Sequence, residues 1–225
     1  MARLAKTHRR HRAPLTRERV LRAALALADA GGHEALSMRN VGKKLGVEAM
    51  SLYNHVANKE DILDGLVDIV FSEIAVPSPG EVDWKTAMRR RAISVREALN
   101  RHRWAIGLME GRMKPGPASL RTHDALMGCL REAGFSFRDA VHASSVVDAY
   151  IYGFALQEKN LPFDTPDQVS EVMEIQRQHV PEMADYPHLV GVATEMAKAG
   201  YDYAAEFKFG LDLILDALER FRAGA

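Results

Sequence analysis

The sequence predicts an all-α protein in two parts, a small N-terminal domain and a larger C-terminal one. Three observations predict it. Apolar residues recur at three- and four-residue spacing along nearly the whole chain, the period of a helix with one buried face. No run alternates apolar and polar residues over a length useful for a strand. Glycines and prolines, as at Gly31-Gly32, Leu161-Pro162 and Tyr186-Pro187, punctuate the helical stretches.

Each element follows from local signals. Thr16 is an N-cap residue, and Val20, Ala24, Leu27 and Ala28 then fall on one helix face that Gly31-Gly32 ends. Ser37 caps a second, short helix carrying Val41 and Leu45, ended by Gly46. The spacing predicts a third helix over 49–56 burying Leu52 and Val56. Asn58 caps a fourth, which carries Ile62, Leu63, Leu66, Val67, Val70 and Ile74 and ends before Pro77. The loop Val76-Pro-Ser-Pro-Gly80 marks the domain boundary. Beyond it, helices are expected over 83–100, 104–110, 119–133 and 136–159, one inside 166–183, and a last one over 202–222. The organisation predicted is a basic tail over 1–15, a first domain over 16–75 and a second over 76–225.

Composition narrows the function. Apolar residues make up 47% and charged residues 27% of the 225, which excludes a disordered chain, a collagen and a disulfide scaffold. Formal net charge is zero but unevenly spread. Residues 1–60 hold 12 Lys/Arg against 5 Asp/Glu, and residues 61–225 hold 18 against 25. A basic head on an acidic body points to a polyanionic partner. The single cysteine, Cys129, cannot form an internal disulfide, so a cytoplasmic location is expected, with Cys129 as buried packing. No apolar run approaches the roughly 20 residues of a membrane span, so no membrane partner is expected.

The first domain has the pattern of a helix-turn-helix, with a tight Gly46-Val47 turn between the second and third helices. Val41, Leu45, Val47, Leu52 and Val56 lock the two helices together. The opposite side then presents Met50, Ser51, Tyr53, Asn54 and His55, flanked by the cations Arg39, Lys43, Lys44 and Lys59. Taken singly, Tyr53 is better read as packing on the domain core and His55 as an ordinary surface residue. On one face among four cations they point to double-stranded DNA. The tail cations Arg3, Lys6, Arg9, Arg10 and Arg12 fit either a solvated terminus or an arm on phosphate.

At Leu45-Gly-Val-Glu48, Ser51-Leu-Tyr-Asn-His-Val56 and Asn58-Lys59 the chain resembles the tetracycline-repressor (TetR) family of transcription regulators. The resemblance is strong over residues 16–74. It continues more weakly at Gly134-Phe-Ser136 and along Phe207-Lys-Phe-Gly-Leu-Asp-Leu-Ile-Leu-Asp-Ala-Leu-Glu219. It implies that Arg39 contacts a base or phosphate, that Met50 and Ser51 first meet the groove, and that Tyr53, His55 and Lys59 hold the backbone. Ala49 and Met50 depart from the polar and proline residues of the tetracycline repressor and can offer only apolar contact to a thymine methyl. A different operator is therefore expected.

The resemblance also implies a homodimer and a small effector held in the second domain. Met and aromatic residues cluster there, and the pocket candidates are Trp104, Met109, Met113, His123, Met127, Tyr150 and Phe154, with plain core packing as the competing reading of each. No charged cluster stands out over 104–154. The stretch Leu108-Met-Glu-Gly-Arg-Met-Lys-Pro115 has no histidine and Gln157 stands where the family places a glutamate, so both ligands of a tetracycline–magnesium complex are missing. A small hydrophobic or aromatic effector is expected, with no cofactor and no metal. The dimer is expected through the 136–159 helix, with Ala140, Ala143, Ser144, Val147 and Ile151, and the last helix, with Phe207, Leu211, Ile214, Leu215 and Leu218. The function predicted is an effector-released repressor on a palindromic operator. A regulator without an effector and an activator remain as alternatives. An enzyme is disfavoured, since the histidines are scattered and no GxSxG, P-loop or HExxH motif occurs.

Overall fold

A computed structural model describes residues 14–78, 80, 83–112, 114–161, 168, 185–199 and 202–224. The basic tail up to residue 13, Met113 and the helix expected inside 166–183 lie outside the described residues, Gln168 apart. All regular structure among the described residues is helical: α1 Arg17–Gly31, α2 Met38–Leu45, α3 Ala49–Leu52, α4 Lys59–Ser72, α5 Trp84–Arg101, α6 Pro117–Glu132, α7 Phe137–Lys159, α8 Pro187–Ala199 and α9 Tyr203–Ala223, with 3-10 turns at His33–Ala35 and Arg103–Ala105.

The chain forms two compact units that divide at Val67/Asp68, inside α4 and ahead of the Val76–Gly80 loop. The second half of α4 finds its partners in the second unit. Asp68 is hydrogen-bonded to the start of α6, and the Phe71 ring lies 5.4 Å from the His123 ring.

In the first unit three side-chain caps begin three helices. Thr16 accepts from the Arg19 N–H at 3.3 Å, Ser37 from Asn40 at 3.1 Å and Asn58 from Asp61 at 2.9 Å. Val20, Ala24, Val41, Leu52, Val56, Ile62 and Leu66 form the core. Gly46 ends α2 in the left-handed conformation (φ 68°), which favours glycine. The third helix is shorter than the periodicity predicts. It ends at Leu52, and Tyr53–His55 form a turn closed by His55 N–H to Leu52 O at 2.8 Å. Four residues cannot supply a stable helix of their own, so packing of Leu52 decides its length.

In the second unit α7 packs against α5, α6 and α9. Ala140, Ala143, Val147, Ile151 and Ala155 are buried along its inner face, opposite Met88, Ala92, Val95 and Leu99 of α5. Phe207, Leu211, Leu215 and Leu218 do the same for α9. The helix expected over 104–110 is instead one 3-10 turn followed by irregular chain. A helix that the sequence reading missed, α8, begins at Pro187. Proline there predicts a break, yet it fits a first helical position because it needs no N–H partner. No described helix is long and apolar enough to cross a membrane.

Two apolar stripes were assigned to the wrong neighbour. Ala140, Ala143, Val147, Ile151, Leu211 and Leu215 are fully buried within their own chain, with Ser144 nearly so, and therefore cannot form the expected partner face. The large apolar residues left in solvent are Phe137, Val141, Val146 and Leu156 on α7 and Phe209, Leu213 and Phe221 on α9.

Candidate nucleic-acid interface and effector site

The exposed tip of the first unit is built by α2, α3 and the turn after it. Gly42 permits the construction. A Cβ there would lie 2.9 Å from Val47 O and 3.3 Å from Ala49 Cα, so α3 crosses α2 at a distance only glycine allows. Sequence reasoning passed over Gly42, although a glycine at the centre of an eight-residue amphipathic helix is itself a sign of close approach.

Seven residues were expected to face DNA, and the structure brings five of them to one tip. Met50 is 75% exposed and Tyr53 48% exposed, Asn54 is exposed beside them, and Ser51 and His55 are half-buried at the edge. Arg39 is exposed near the start of α2, and Lys59 is half-buried at the first residue of α4. Lys43 and Lys44 are exposed in the last turn of α2, where they also complement the helix dipole. Leu45 and Val47 are only half-buried, so Val41, Leu52 and Val56 carry the packing beneath the tip.

One stabilising element was not read from the sequence. The Arg17 guanidinium forms a fork with Asp61, at 2.8 Å from NH1 to Oδ2 and 2.7 Å from NH2 to Oδ1. Asp61 Oδ2 also accepts from the Ala57 N–H at 2.8 Å, and Arg17 NH1 reaches the His55 carbonyl at 3.4 Å. The starts of α1 and α4 are thus tied to the turn that carries Tyr53 and His55. Donation to the Asp61 carboxylate holds the Arg17 guanidinium above its ordinary value despite partial burial. The partners are 44 residues apart, which no local pattern signals.

The effector candidates fall into separate groups. Tyr150 and Phe154 belong to an aromatic cluster on α7 and α9: Tyr150 stacks on Phe207 at 5.4 Å, and Phe154 lies 5.1 Å from Phe207 and 5.0 Å from Tyr203. The Tyr150 hydroxyl donates to Phe207 O at 3.0 Å, and burial pushes its phenol up. Arg96 covers Phe154 and Phe207 and pairs with Glu158. His123 sits apart, its Nδ1 2.8 Å from Ser119 O. Trp104 is buried beside His102, Met109 is buried, and Met127 is half-buried. None of these candidates lines the cavity of about 270 Å³ where Trp84, Asp83 and Glu132 surround Cys129. Cys129 is half-buried there rather than packed in a core, and desolvation raises its thiol.

The structure also assembles a charged group that spacing did not reveal. Arg91 of α5 is buried and its NH1 donates to Asp148 of α7 at 2.8 Å. Tyr152, one turn along α7, is hydrogen-bonded to Glu110, and burial together with the charges of Glu110 and Asp148 pushes its phenol far above the usual range. Arg91 lies outside residues 104–154 in sequence, and only the packing of α5 on α7 brings it to Asp148.

Comparison with known proteins follows the same two-part division. The description "Bacterial regulatory proteins, tetR family" matches residues 20–66, and "Tetracyclin repressor-like, C-terminal domain" matches residues 76–222. The tetracycline repressor protein class A from transposon 1721 of Escherichia coli is 32% identical over 207 residues, covering 90% of each chain. The HTH-type transcriptional repressor DrrR1 of Streptomyces coeruleorubidus is 30% identical over 212 residues, covering 91% of this chain and 77% of its own. The crystal structure of the Streptomyces coelicolor TetR family protein ActR in complex with actinorhodin superposes with a TM-score of 0.73 at 28% identity, covering 93% of this chain and 99% of that one. Helix-turn-helix head, helical second unit and both family matches agree, and the chain belongs to the tetR family of bacterial regulatory proteins.

Proposed function

We propose that this transcriptional regulator is a repressor that binds a palindromic operator as a homodimer and is released by a small hydrophobic or aromatic effector. The observation that carries the DNA-binding part is the exposed Met50–Tyr53–Asn54 tip, braced by the Arg17–Asp61 fork on the basic part of the chain. Phosphate contacts from Arg39, Tyr53, His55 and Lys59 would set the register, and Met50 and Ser51 would meet base edges. Two tips related by a two-fold axis reach successive major grooves about 34 Å apart, so the operator mirrors the protein's symmetry.

Two features support the dimer and the effector. Val141 and Val146 of α7 with Phe209 and Leu213 of α9 leave apolar surface that a second copy can cover. ActR, similar over nearly its whole length, was crystallised with actinorhodin, and DrrR1 and the class A protein are named repressors. The effector acts by preferring a conformation whose two tips no longer match the groove spacing. Selection of bound fragments from a genomic pool, followed by footprinting, tests the reading. The expected result is one palindromic site protected in both halves. Fragments without a shared sequence, or protection of one half alone, contradict it.

A further inference from the structure

The Arg91 guanidinium is 2% exposed, yet its hydrogen bonding is incomplete. NH1 donates to Asp148 Oδ1 at 2.8 Å, while the Nε–H reaches no acceptor among the described residues. Met88, Ala92 and Val95 are buried along the same helix, and Val147 and Ile151 are buried on either side of Asp148. A guanidinium taken out of water is stabilised only when its N–H groups are matched, and an unmatched one is rare in a folded chain. Arg17–Asp61 and Arg96–Glu158 close two-pronged forks, and the one-pronged arginines Arg89 and Arg222, the latter with its Nε also unmatched, keep 30% and 31% of their side chains exposed. Arg91 departs from that pattern, in the interior of the unit to which the effector reading assigns the ligand.

We infer that Arg91, with Tyr152 one turn beyond Asp148, forms the polar end of the effector site, and that the effector is an aromatic molecule bearing an anionic oxygen such as a carboxylate or phenolate. This rests on the effector-released reading above and names the chemical class of its ligand. Asp148 fixes the guanidinium plane and neutralises the buried charge before the ligand arrives. The Nε–H then donates to a planar oxyanion, which a point-charge lysine would not orient. Tyr152 stays protonated at neutral pH, so it presents a neutral hydroxyl held by Glu110. A neutral aromatic of the same shape would leave the Arg91 Nε unmatched, and the site therefore discriminates against it.

Two fluorescent probes of one skeleton separate the possibilities: anilinonaphthalene sulfonate, which is anionic, and phenylnaphthylamine, which lacks the sulfonate. Both are titrated against the full chain and two variants. Arg91→Met with Asp148→Leu removes both charges together, so no unpaired charge remains to unfold the chain. Asp148→Asn leaves the cation and withdraws its competitor. The intact chain is expected to bind the sulfonate about tenfold more tightly than the neutral probe, the scale of one charge-assisted hydrogen bond. The double variant is expected to lose that preference while binding the neutral probe within about twofold of the original, and Asp148→Asn to increase the preference. A preference that survives in the double variant, or that is absent from the intact chain, overturns the proposal. Operator release is measured in parallel. Sulfonate binding that follows Arg91 without any release of DNA upholds the site and overturns the effector-released reading.

Discussion

The carboxylate of Asp68, in the second half of α4, caps Ala118 at the start of α6. Its Oδ1 accepts the backbone N–H of Ala118 at 2.9 Å and of Ser119 at 3.0 Å. The residue at the N-cap position itself is Gly116, which has no side chain to offer. A capping group normally sits next to its own helix in sequence. Here it comes from about 50 residues away, so α4 and α6 cannot separate without exposing two amides.

Removal of that cap is measurable. Asp68→Ala is expected to cost about 1 kcal/mol of stability, the usual worth of an N-cap. Gly116→Ala is expected to cost more, because its Cβ would lie 2.3 Å from Asp68 Cγ. The two losses should not add, since Asp68→Ala removes the Cγ and Oδ1 that the new Cβ strikes and leaves only Asp68 Cβ, at 2.7 Å. Denaturant unfolding of both single variants and the double variant checks this; strict additivity would count against the contact.

Gly42→Ala sets two effects against each other. Helix propensity favours alanine inside α2 by about 1 kcal/mol. The new Cβ would stand 2.9 Å from Val47 O, a backbone atom that cannot turn aside. Overpacking of this kind typically costs about 1–3 kcal/mol, so net destabilisation with loss of DNA binding is expected. A variant that gains thermal stability and binds DNA as before would show that α3 can shift freely.

Tyr53→Phe and His55→Ala are expected to weaken binding to operator and to unrelated DNA by similar factors, as backbone contacts do. Lys59→Ala should reduce the slope of log K against log salt by about one unit. Binding isotherms at several salt concentrations give both quantities. A loss confined to one operator variant would make Tyr53 or His55 a reader of bases.

Phe209→Asp and Leu213→Asp should yield a folded monomer, because both side chains are more than half exposed within one chain, at 64% and 56%. Leu211→Asp and Leu215→Asp should instead unfold the second unit, since both are fully buried in their own chain. Sedimentation with circular dichroism separates the two outcomes. A Phe209→Asp protein that remains dimeric moves the interface to another face.

Helix existence was legible because capping and periodicity are local. Thr16, Ser37 and Asn58 cap the helices that the sequence reading assigned to them, and the tip residues Met50, Ser51, Tyr53, Asn54 and His55 lie together as their spacing implies. Helix ends were less legible where a segment is too short to hold itself. Packing of Leu52 ends α3 early, and Pro187 begins a helix instead of breaking one.

The sequence by itself determined the all-α class, the basic head with its helix-turn-helix, and the family. Each of these is carried by residues within a few turns of one another. Tertiary structure alone decided which of two apolar stripes on α7 and α9 is core, that Asp68 serves α6, and that Arg91 meets Asp148. A helical period reports that a stripe is apolar without saying what covers it. A charge pair between distant helices has no period at all, because contact between α5 and α7 exists only after the chain has packed.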